Sequence, residues 1–331
     1  NNNDNIFGYG WDLSAGYIVR DAKEGVNNLY SKNYFSINIY GDNKELTPIS
    51  LSDGTHGTYG AIVEEYWKYA FNTDNSWVIY DKKGTKYTFG ANLATRQDNP
   101  SDTTQIYKWM LEEIRDTNDN YIKFEYYKDQ GQIYPKRIIY TGHGSVDGPI
   151  AITFEPFFTG PTTERVDKFF DYKAKFKITT RYIVDRINVF VTGEQGGNSV
   201  MEYDLNFTTS GNSARSILQS IQRYGRNPSG QLESLPATTL GYTTKTNTWT
   251  DASSTWPMPE SFIYNQSDVG VRVVDVNGDG LVDVVRSGYD GQELKRVYLN
   301  TGNGLFPAGE TPPYNESQNL PTSCDFLSLR S

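Results

Sequence analysis

Hydrophobic and polar residues alternate along most of this chain in short runs, without a sustained helical period. Residues 34–40 (Tyr-Phe-Ser-Ile-Asn-Ile-Tyr) alternate in this way, which is the pattern of a half-buried strand. Trp77–Tyr80 and residues 85–89 flank the turn sequence Asp-Lys-Lys-Gly and predict a β-hairpin. The pattern therefore predicts an all-β protein built from successive antiparallel hairpins.

Several segments need a more specific interpretation. Residues 62–71 are dense in aromatic side chains and predict one strand, whereas residues 51–60, which include His56, and residues 90–104 are polar and predict loops. Residues 107–115 fit either a helix or a strand. Because a turn at 116–120 and a strand at 121–127 follow, we interpret 109–115 as a strand. The alternating Asp116, Asn118 and Asn120 are expected to close that turn through their own backbone, not to bind a metal.

The pattern changes near residue 245, and we divide the chain there. Residues 1–245 form a large antiparallel hairpin domain with a shell-like sheet, and residues 246–268, rich in Thr, Ser, Asn and Trp, form a connector. Residues 269–331 read as strand, acidic turn, strand, glycine turn and strand, the first and incomplete unit of a repeat. One such unit has too little core to stand alone, so it packs on the first region or precedes further repeats. Residues 317–331 fit the start of the next unit.

An acidic loop lies inside this second region, between the β-branched runs Val271–Val274 and 282–285. Side-chain oxygens stand at loop positions 1, 3, 5 and 9, and a backbone carbonyl is available at position 7. Calcium binds six to eight oxygens held by a compact loop, and the glycines at 278 and 280 permit the tight backbone. We predict a calcium site whose ligands are Asp275, Asn277, Asp279, Leu281 and Asp283. The alternative is a plain Asn-Gly/Asp-Gly hairpin turn without an ion.

This loop differs from an EF-hand, whose flanks are helices and whose position 12 is a glutamate. Here the flanks are strands and position 12 is Arg286. We therefore expect the ion to pin two strands together and to take no part in catalysis.

Composition narrows the function further. The 331 residues include 37% hydrophobic residues, 25 Tyr and 16 Phe, which are enough for a large β core. The net charge of -9 and the lack of basic runs exclude a general attraction to nucleic acid, and no apolar stretch is long enough to span a membrane. The single cysteine, Cys324, excludes an internal disulfide, and a large calcium-binding β protein without disulfides fits a bacterial secreted or surface protein better than a eukaryotic ectodomain. Because the chain starts Asn1-Asn2-Asn3, we expect a fragment or a processed piece.

Catalytic patterns are scarce. His56 and His143 are the only histidines, and each stands beside glycine in a polar segment that predicts a solvated loop. The adjacent glutamates at 64–65 and 112–113 point to opposite faces of a strand and form no catalytic pair by themselves. We therefore predict no enzyme activity. Two alternatives stay open: a carbohydrate-binding or adhesive surface protein that uses aromatics such as Trp67, Tyr69 and Trp109, and a glycan-active enzyme with two carboxylates about 5–9.5 Å apart.

Two sets of motifs resemble known families. Residues 274–285, followed by Val-Tyr-Leu-Asn-Thr-Gly-Asn-Gly-Leu-Phe at 297–306, resemble an FG-GAP/VCBS repeat, the calcium-loop unit of integrin-like β-propellers. The preceding region resembles the N-terminal domain of the SpvB family, which also occurs in the B components of bacterial toxin complexes (Tc toxins). The pieces that carry this resemblance are Phe-Gly-Tyr-Gly-Trp-Asp-Leu-Ser at 7–14, Leu-Glu-Glu-Ile-Arg-Asp-Thr-Asn at 111–118, Thr-Thr-Arg-Tyr at 179–182 and Thr-Thr-Leu-Gly-Tyr at 238–242, with shorter matches near 77–90, 136–138 and 220–225.

The resemblance implies a function. In Tc toxins the B component forms part of a hollow β shell with Rhs-repeat strands, and that shell encloses a toxic polypeptide. Its propeller docks on the membrane-translocating A component. The resemblance thus implies a non-catalytic scaffold segment of a secreted bacterial toxin-complex protein, with an A-type translocation subunit and a C-type Rhs/effector subunit as partners, and without nucleic-acid binding or membrane insertion of its own.

Overall fold

The computed structural model of the protein describes residues 5–13, 15–191, 199–243, 253, 256–278, 280–289 and 293–302. The chain divides into two compact units, residues 1–245 and 246–331. The described residues are all-β, as predicted, with only two short 3₁₀ turns at Val26–Asn28 and Leu93–Thr95. They contain no helix with the length and apolarity needed to cross a bilayer.

A closed ring of antiparallel strands forms the first half of unit 1. The strands of this region are β1 (Tyr17–Arg20), β2 (Phe35–Ile39), β3 (Asp42–Leu51), β4 (Gly57–Ala61), β5 (Lys68–Phe71), β6 (Trp77–Tyr80), β7 (Lys86–Phe89), β8 (Arg96–Asn99) and β9 (Asp102–Arg115). All of them except β8 belong to the ring. Strands β1 to β7 pair in sequence order. Strand β9 then pairs with both β7 and β1 and closes the ring, while β8 pairs alongside β9.

The interior of the ring is filled by its own aromatic side chains. Phe35, Phe71, Trp77 and Trp109 are all at most 2% exposed. The rings of Phe71 and Trp77 stack with centroids 4.5 Å apart, and Phe35 meets Trp109 edge-on at 5.7 Å. Aromatic side chains bury large areas and gain further from edge-to-face contacts. The ring is therefore a packed core and leaves its aromatic residues unavailable to a ligand.

The second half of unit 1 is an antiparallel sheet that continues from strand β9 of the ring. Its strands, with a separate hairpin formed by β13 and β14, are β10 (Asn120–Asp129), β11 (Gln132–His143), β12 (Ile150–Glu155), β13 (Phe169–Asp171), β14 (Ile178–Thr180), β15 (Arg186–Val191), β16 (Met201–Thr209), β17 (Ser216–Arg226), β18 (Leu232–Ser234) and β19 (Thr238–Thr239). The end of β9 pairs with β10, and the sheet continues β10-β11-β12-β15-β16-β17, with β18 and β19 on its far edge. The long strand β9 thus belongs to the ring and to the sheet.

A second core lies against this sheet. Its buried members are Ile6, Phe7, Tyr134, Phe154, Phe157, Tyr182 and Val184. They come from the N-terminal segment, from the sheet and from residues 156–184, the excursion between β12 and β15 that contains the β13–β14 hairpin. Since large apolar rings from all three segments meet here, the excursion and the N-terminus are fastened to one face of the sheet.

The structure confirms some predicted segments and corrects others. Residues 109–115 are a strand, as expected, because they lie within β9. The predicted strand 62–71 is wrong over its first half: Tyr66 has a left-handed φ of 61°, and the strand begins only at Lys68. The predicted loop 51–60 already contains β4 from Gly57 onward.

The predicted loop at 90–104 is also wrong, since it contains β8 and the start of β9. Hydrophobic periodicity misses β8 because its buried residues are polar. The Arg96 guanidinium donates to the carbonyls of Gly90 and Asp74, both at 2.6 Å, and the Gln97 amide donates to the Gly131 carbonyl at 2.8 Å. Asp98 pairs with Lys128 at 2.7 Å. These partners satisfy groups that would otherwise be costly to bury.

Unit 2 contains the small hairpin β20 (Ile263–Tyr264) and β21 (Ser267–Asp268), followed by a three-stranded sheet of β22 (Val271–Val274), β23 (Asp283–Tyr289) and β24 (Glu293–Tyr298). Its core consists of Val271 and Val284, with Trp256, Val269 and Tyr298 packed against them. The hairpin lies within the predicted connector 246–268. Residues 303–306 of the repeat-like motif, the predicted next unit at 317–331, and Cys324 lie outside the described residues.

Candidate functional site

The acidic loop of unit 2 joins β22 to β23, which pair so that Val274 lies opposite Asp283. The β-branched flanks favour the extended strands, and Gly278 and Gly280 adopt left-handed φ angles of 79° and 84° within the loop. The sequence therefore brings loop positions 1 and 9 to the same end of one strand pair. Position 5, Asp279, lies outside the described residues.

Both described carboxylates of the loop are oriented by backbone N–H groups. The Asp275 carboxylate accepts from the Gly278 amide at 2.7 Å and from the Gly280 amide at 2.9 Å. The Asp283 carboxylate is completely buried and accepts from the Val276 amide at 3.0 Å and the Asn300 amide at 2.8 Å. A carboxylate oxygen carries two lone pairs, so it can accept a hydrogen bond and also coordinate a cation.

This donor set has the chemistry that calcium prefers, with Asp275, Asp283, the Asn277 amide and the Leu281 carbonyl all supplying oxygens. Among the residues that the structure describes, no three His, Cys, Asp or Glu side chains lie together closely enough to hold a metal. The third carboxylate of the predicted set is Asp279, so calcium binding stays a prediction.

A polar centre that the sequence did not reveal lies beside the same sheet. Glu260 accepts from the Arg286 guanidinium at 2.7 Å, from the Arg296 guanidinium at 2.8 Å and from the Tyr298 hydroxyl at 2.8 Å. Burial by itself raises the pKa of Glu260. The hydrogen bonds and positive charges of these donors outweigh burial and hold that pKa below its usual value. Arg286, at loop position 12, is thus half of an ion pair that ties residue 260 to the sheet.

Most catalytic candidates of unit 1 have structural partners. His56 is not the solvated loop residue that we predicted: its side chain is 16% exposed and its ring packs 4.6 Å from the Phe71 ring. Its Nδ1 lies 2.7 Å from the Asp53 carboxylate and its Nε2 lies 3.2 Å from the Asn75 side-chain oxygen. Both ring nitrogens therefore have hydrogen-bond partners within the fold. His143 is exposed at the end of β11.

The adjacent glutamates serve as hydrogen-bond acceptors. Glu65 pairs with Lys44 at 2.5 Å and accepts from the Tyr69 hydroxyl, while Glu113 pairs with Arg115 at 2.8 Å. Glu112 accepts from the Asn92 backbone amide at 2.7 Å. Each carboxylate is committed to a neighbour within the fold.

The candidate sugar-stacking aromatics are core residues. Tyr69 and Trp109 are 1% and 0% exposed inside the ring, and Trp67 stacks on Tyr87 at 5.6 Å with its plane tilted by 12°. Trp67, Tyr69 and Trp109 therefore form no exposed row on which a sugar could stack.

A groove of about 340 Å³ lies beside the β13–β14 hairpin. Glu164 is the one carboxylate among the residues that line this groove. Because glycoside hydrolysis uses a pair of carboxylates, the groove lacks the arrangement that a glycan-active enzyme needs.

The turn at residues 116–120 behaves as predicted. One oxygen of the Asp116 carboxylate accepts from the backbone amides of Asn118 and Asn120 at 2.8 and 2.9 Å, and the other accepts from the Asn120 side chain at 2.8 Å. These bonds close the turn between β9 and β10.

Comparison with known proteins points to one group. Residues 57–143 match the sequence model of the family described as Salmonella virulence plasmid 65kDa B protein, or SpvB. No curated protein sequence matches the chain. The matched segment runs from β4 to the end of β11, so it includes most of the ring and the joint with the sheet.

Solved structures share the fold at low sequence identity. The crystal structure of TcdB2-TccC3 covers 89% of this chain with a TM-score of 0.65 and 18% identity, and a mutant Photorhabdus luminescens Tc holotoxin pore covers 90% with a TM-score of 0.65 and 20% identity. The N-terminal domain of the effector protein SpvB from Salmonella typhimurium strain LT2 covers 68% of this chain, with a TM-score of 0.55 and 16% identity, and the match includes 91% of that domain.

The chain spans only 17% and 18% of the lengths of the two Tc toxin chains. It therefore corresponds in fold to a limited part of those much longer polypeptides. Residues 57–143 thus match the SpvB family model, and the described chain shares its all-β fold with the SpvB N-terminal domain and with Tc toxin structures.

Proposed function

We propose that this chain is a non-catalytic scaffold segment of a secreted bacterial toxin-complex protein of the B type. The observation that carries the proposal is the extent of the fold match, which reaches 89–90% of the chain for Tc toxin structures and 68% for the SpvB domain. The fold match to the Tc toxin structures covers more of this chain than the match to the SpvB N-terminal domain does. This difference favours a toxin-complex protein over an effector that has only the SpvB domain in common with the chain.

The internal chemistry of unit 1 supports a scaffold. Its ring is filled by aromatic side chains, and the carboxylates and histidine that we considered for catalysis are engaged in hydrogen bonds that hold strands and turns. The sheet β10-β11-β12-β15-β16-β17 supplies a continuous wall of backbone hydrogen bonds. In this function the ring and the sheet contribute to a shell around a toxic polypeptide carried by a C-type subunit.

Unit 2 is proposed to begin the propeller that docks on an A-type translocation subunit. Its three-stranded sheet has the strand, acidic loop and strand order of a propeller unit. We propose calcium as the ion of the acidic loop, held by Asp275, Asn277, Asp279, Leu281 and Asp283. When bound, the ion would neutralise the carboxylates and fix the β22–β23 connection.

Activity measurements test the non-catalytic part of the proposal. The purified chain is expected to show no turnover with NAD or with a panel of oligosaccharides. Reproducible hydrolysis that co-purifies with the chain through two different chromatographic steps would contradict a scaffold and favour the glycan-active alternative.

A further inference from the structure

A basic and aromatic hairpin lies in the first unit of this acidic protein. Residues 165–181, which contain β13 and β14, hold six Lys and Arg residues against two Asp residues, a formal charge of +4, whereas the whole chain carries -9. Aromatic residues alternate with these cations. Val166, Phe170 and Tyr172 are 88%, 59% and 57% exposed, so this stretch presents apolar surface as well as positive charge. Exposed apolar surface next to charge marks interaction sites.

The groove of about 340 Å³ described above is formed on this hairpin. The Phe170 ring supplies apolar lining, and Lys168, Lys177 and Arg181 supply the positive charge. Pairing of Phe170 with Thr179 across β13 and β14 sets these two residues on one face of the hairpin. The groove is large enough for one or two amino-acid side chains of a ligand.

The cations of the groove differ in how they are neutralised. The Arg181 guanidinium donates to both oxygens of Asp129, at 2.6 and 2.8 Å, and to Glu164 at 2.8 Å. Lys168 also pairs with Glu164, at 2.7 Å. The ammonium of Lys177 lies 4.8 Å from the centre of the Phe170 ring, and no carboxylate of the described residues pairs with it. The groove therefore has one cation available for an outside anion.

We propose that this groove binds an acidic peptide segment of a protein partner. One Asp or Glu carboxylate of the peptide pairs with Lys177, and the neighbouring apolar side chain packs on Phe170. A single available cation beside an apolar lining matches a single carboxylate beside an apolar residue. It matches a polyphosphate chain poorly, because Asp129 and Glu164 lie beside the same groove and the protein is acidic as a whole.

The shape of the site also favours a peptide over a membrane surface. A concave groove encloses a side chain, whereas a lipid surface engages projecting residues. The residues proposed to bind the peptide belong to the β13–β14 hairpin and its neighbours, so the test does not depend on the assembly of a toxin shell.

The test uses the full chain and a fluorescein-labelled peptide of alternating Glu and Leu, followed by fluorescence anisotropy. The matched peptide with Gln in place of Glu is the control for charge. Lys177→Glu is expected to weaken binding by about tenfold or more, because it replaces the pairing cation by a repelling anion. Lys83→Glu, an exposed charge reversal in the β6–β7 turn, is the matched control variant and is expected to leave binding unchanged.

Phe170→Ala separates apolar contact from charge. The side chain is 59% exposed, so its removal is expected to leave the fold intact. The substitution is expected to weaken binding of the Glu/Leu peptide severalfold. Raising the salt concentration from about 50 to about 300 mM is expected to weaken binding by the wild type more than by Lys177→Glu.

Single-stranded oligonucleotides and vesicles of phosphatidylserine and phosphatidylcholine provide the competing ligands. The proposal is overturned if the Glu/Leu peptide does not bind, if Lys177→Glu binds it as tightly as Lys83→Glu, or if oligonucleotide or vesicles bind through Lys177 in place of the peptide. Near-UV circular dichroism verifies that each variant is folded.

Discussion

The buried ion pair of Arg165 and Asp167 gives the sharpest prediction about the stability of unit 1. Their side chains are 1% and 5% exposed, and the guanidinium donates to both carboxylate oxygens at 2.7 and 2.8 Å. Asp167 also accepts from the Ser216 amide at 2.6 Å and hydroxyl at 2.7 Å, and Arg165 donates to the Asn5 carbonyl at 2.8 Å. The pair therefore joins the N-terminal segment, the 156–184 excursion and the start of β17.

Asp167→Ala removes four hydrogen bonds and leaves the Arg165 guanidinium buried without its counter-ion. Removing one partner of a buried pair costs about 3–5 kcal/mol in the free energy of unfolding. For a unit of this size each kcal/mol lowers the melting temperature by about 2–4 °C, so we expect a decrease of about 6–20 °C. Thermal unfolding followed by near-UV circular dichroism, which reports on packed tyrosine and tryptophan, measures it.

Two further variants isolate the effect of burial. Arg186 and Asp204 form a pair whose arginine side chain is 47% exposed, and exposed pairs contribute at most about 1 kcal/mol, so Asp204→Ala should lower the melting temperature by no more than about 4 °C. The double variant Arg165→Met/Asp167→Leu, which leaves no buried charge, should recover most of the lost stability. Equal losses for Asp167→Ala and Asp204→Ala would refute this reasoning.

The same pair predicts a pH dependence. Burial by itself raises the pKa of Asp167, but the hydrogen bonds from Arg165 and Ser216 outweigh it and hold that pKa well below its ordinary value. A carboxylate with a depressed pKa in the folded state stabilises the protein above its unfolded pKa of about 4 and loses that contribution as the pH falls below it. Between about pH 5 and pH 3, urea unfolding should therefore show a smaller loss of stability for Asp167→Ala than for the wild type.

Three further predictions concern the ring and the acidic loop. Trp109→Ala should lower the free energy of unfolding by about 3–5 kcal/mol, because the side chain is fully buried among the ring aromatics; urea unfolding measures the loss, and a loss below about 1 kcal/mol would contradict the packed ring. Gly90→Ala should also destabilise the ring, since φ is 65° and the added Cβ would lie 2.3 Å from Trp109, so a melting temperature equal to that of the wild type would contradict this contact. Calcium added after chelation should raise the melting temperature of unit 2, and Asp279→Ala should abolish that increase while Asp116→Ala leaves it unchanged; no increase for the wild type would contradict the calcium site.

The sequence predicted the fold class and many strands, because alternating apolar residues mark half-buried strands directly. It did not predict that β9 closes a ring with β1, since this pairing joins residues about ninety positions apart and depends on register, which local patterns do not carry. It also missed β8, whose burial depends on polar partners such as the Gly90 and Gly131 carbonyls.

At the candidate site, too, local features could be predicted from the sequence and contacts between distant residues could not. The spacing of Asp275 and Asp283 predicted a loop that brings two carboxylates to one strand pair, and the structure has that loop. The ion pairs of Glu260 and the contacts of His56 with Asn75 and Phe71 could not be predicted from the sequence, because each joins residues from separate segments. Trp109 and Tyr69 were candidates for ligand stacking because sequence alone does not tell which strand face is buried.

Protection of an enclosed polypeptide tests the central proposal most directly. The proposed B-type protein would be co-expressed with the proposed C-type subunit, with and without residues 1–245 of this chain, and treated with protease. If these residues contribute to a shell, the effector segment of the C-type subunit resists digestion only when they are present. Equal protection without them, in a complex that still assembles, would contradict the scaffold function.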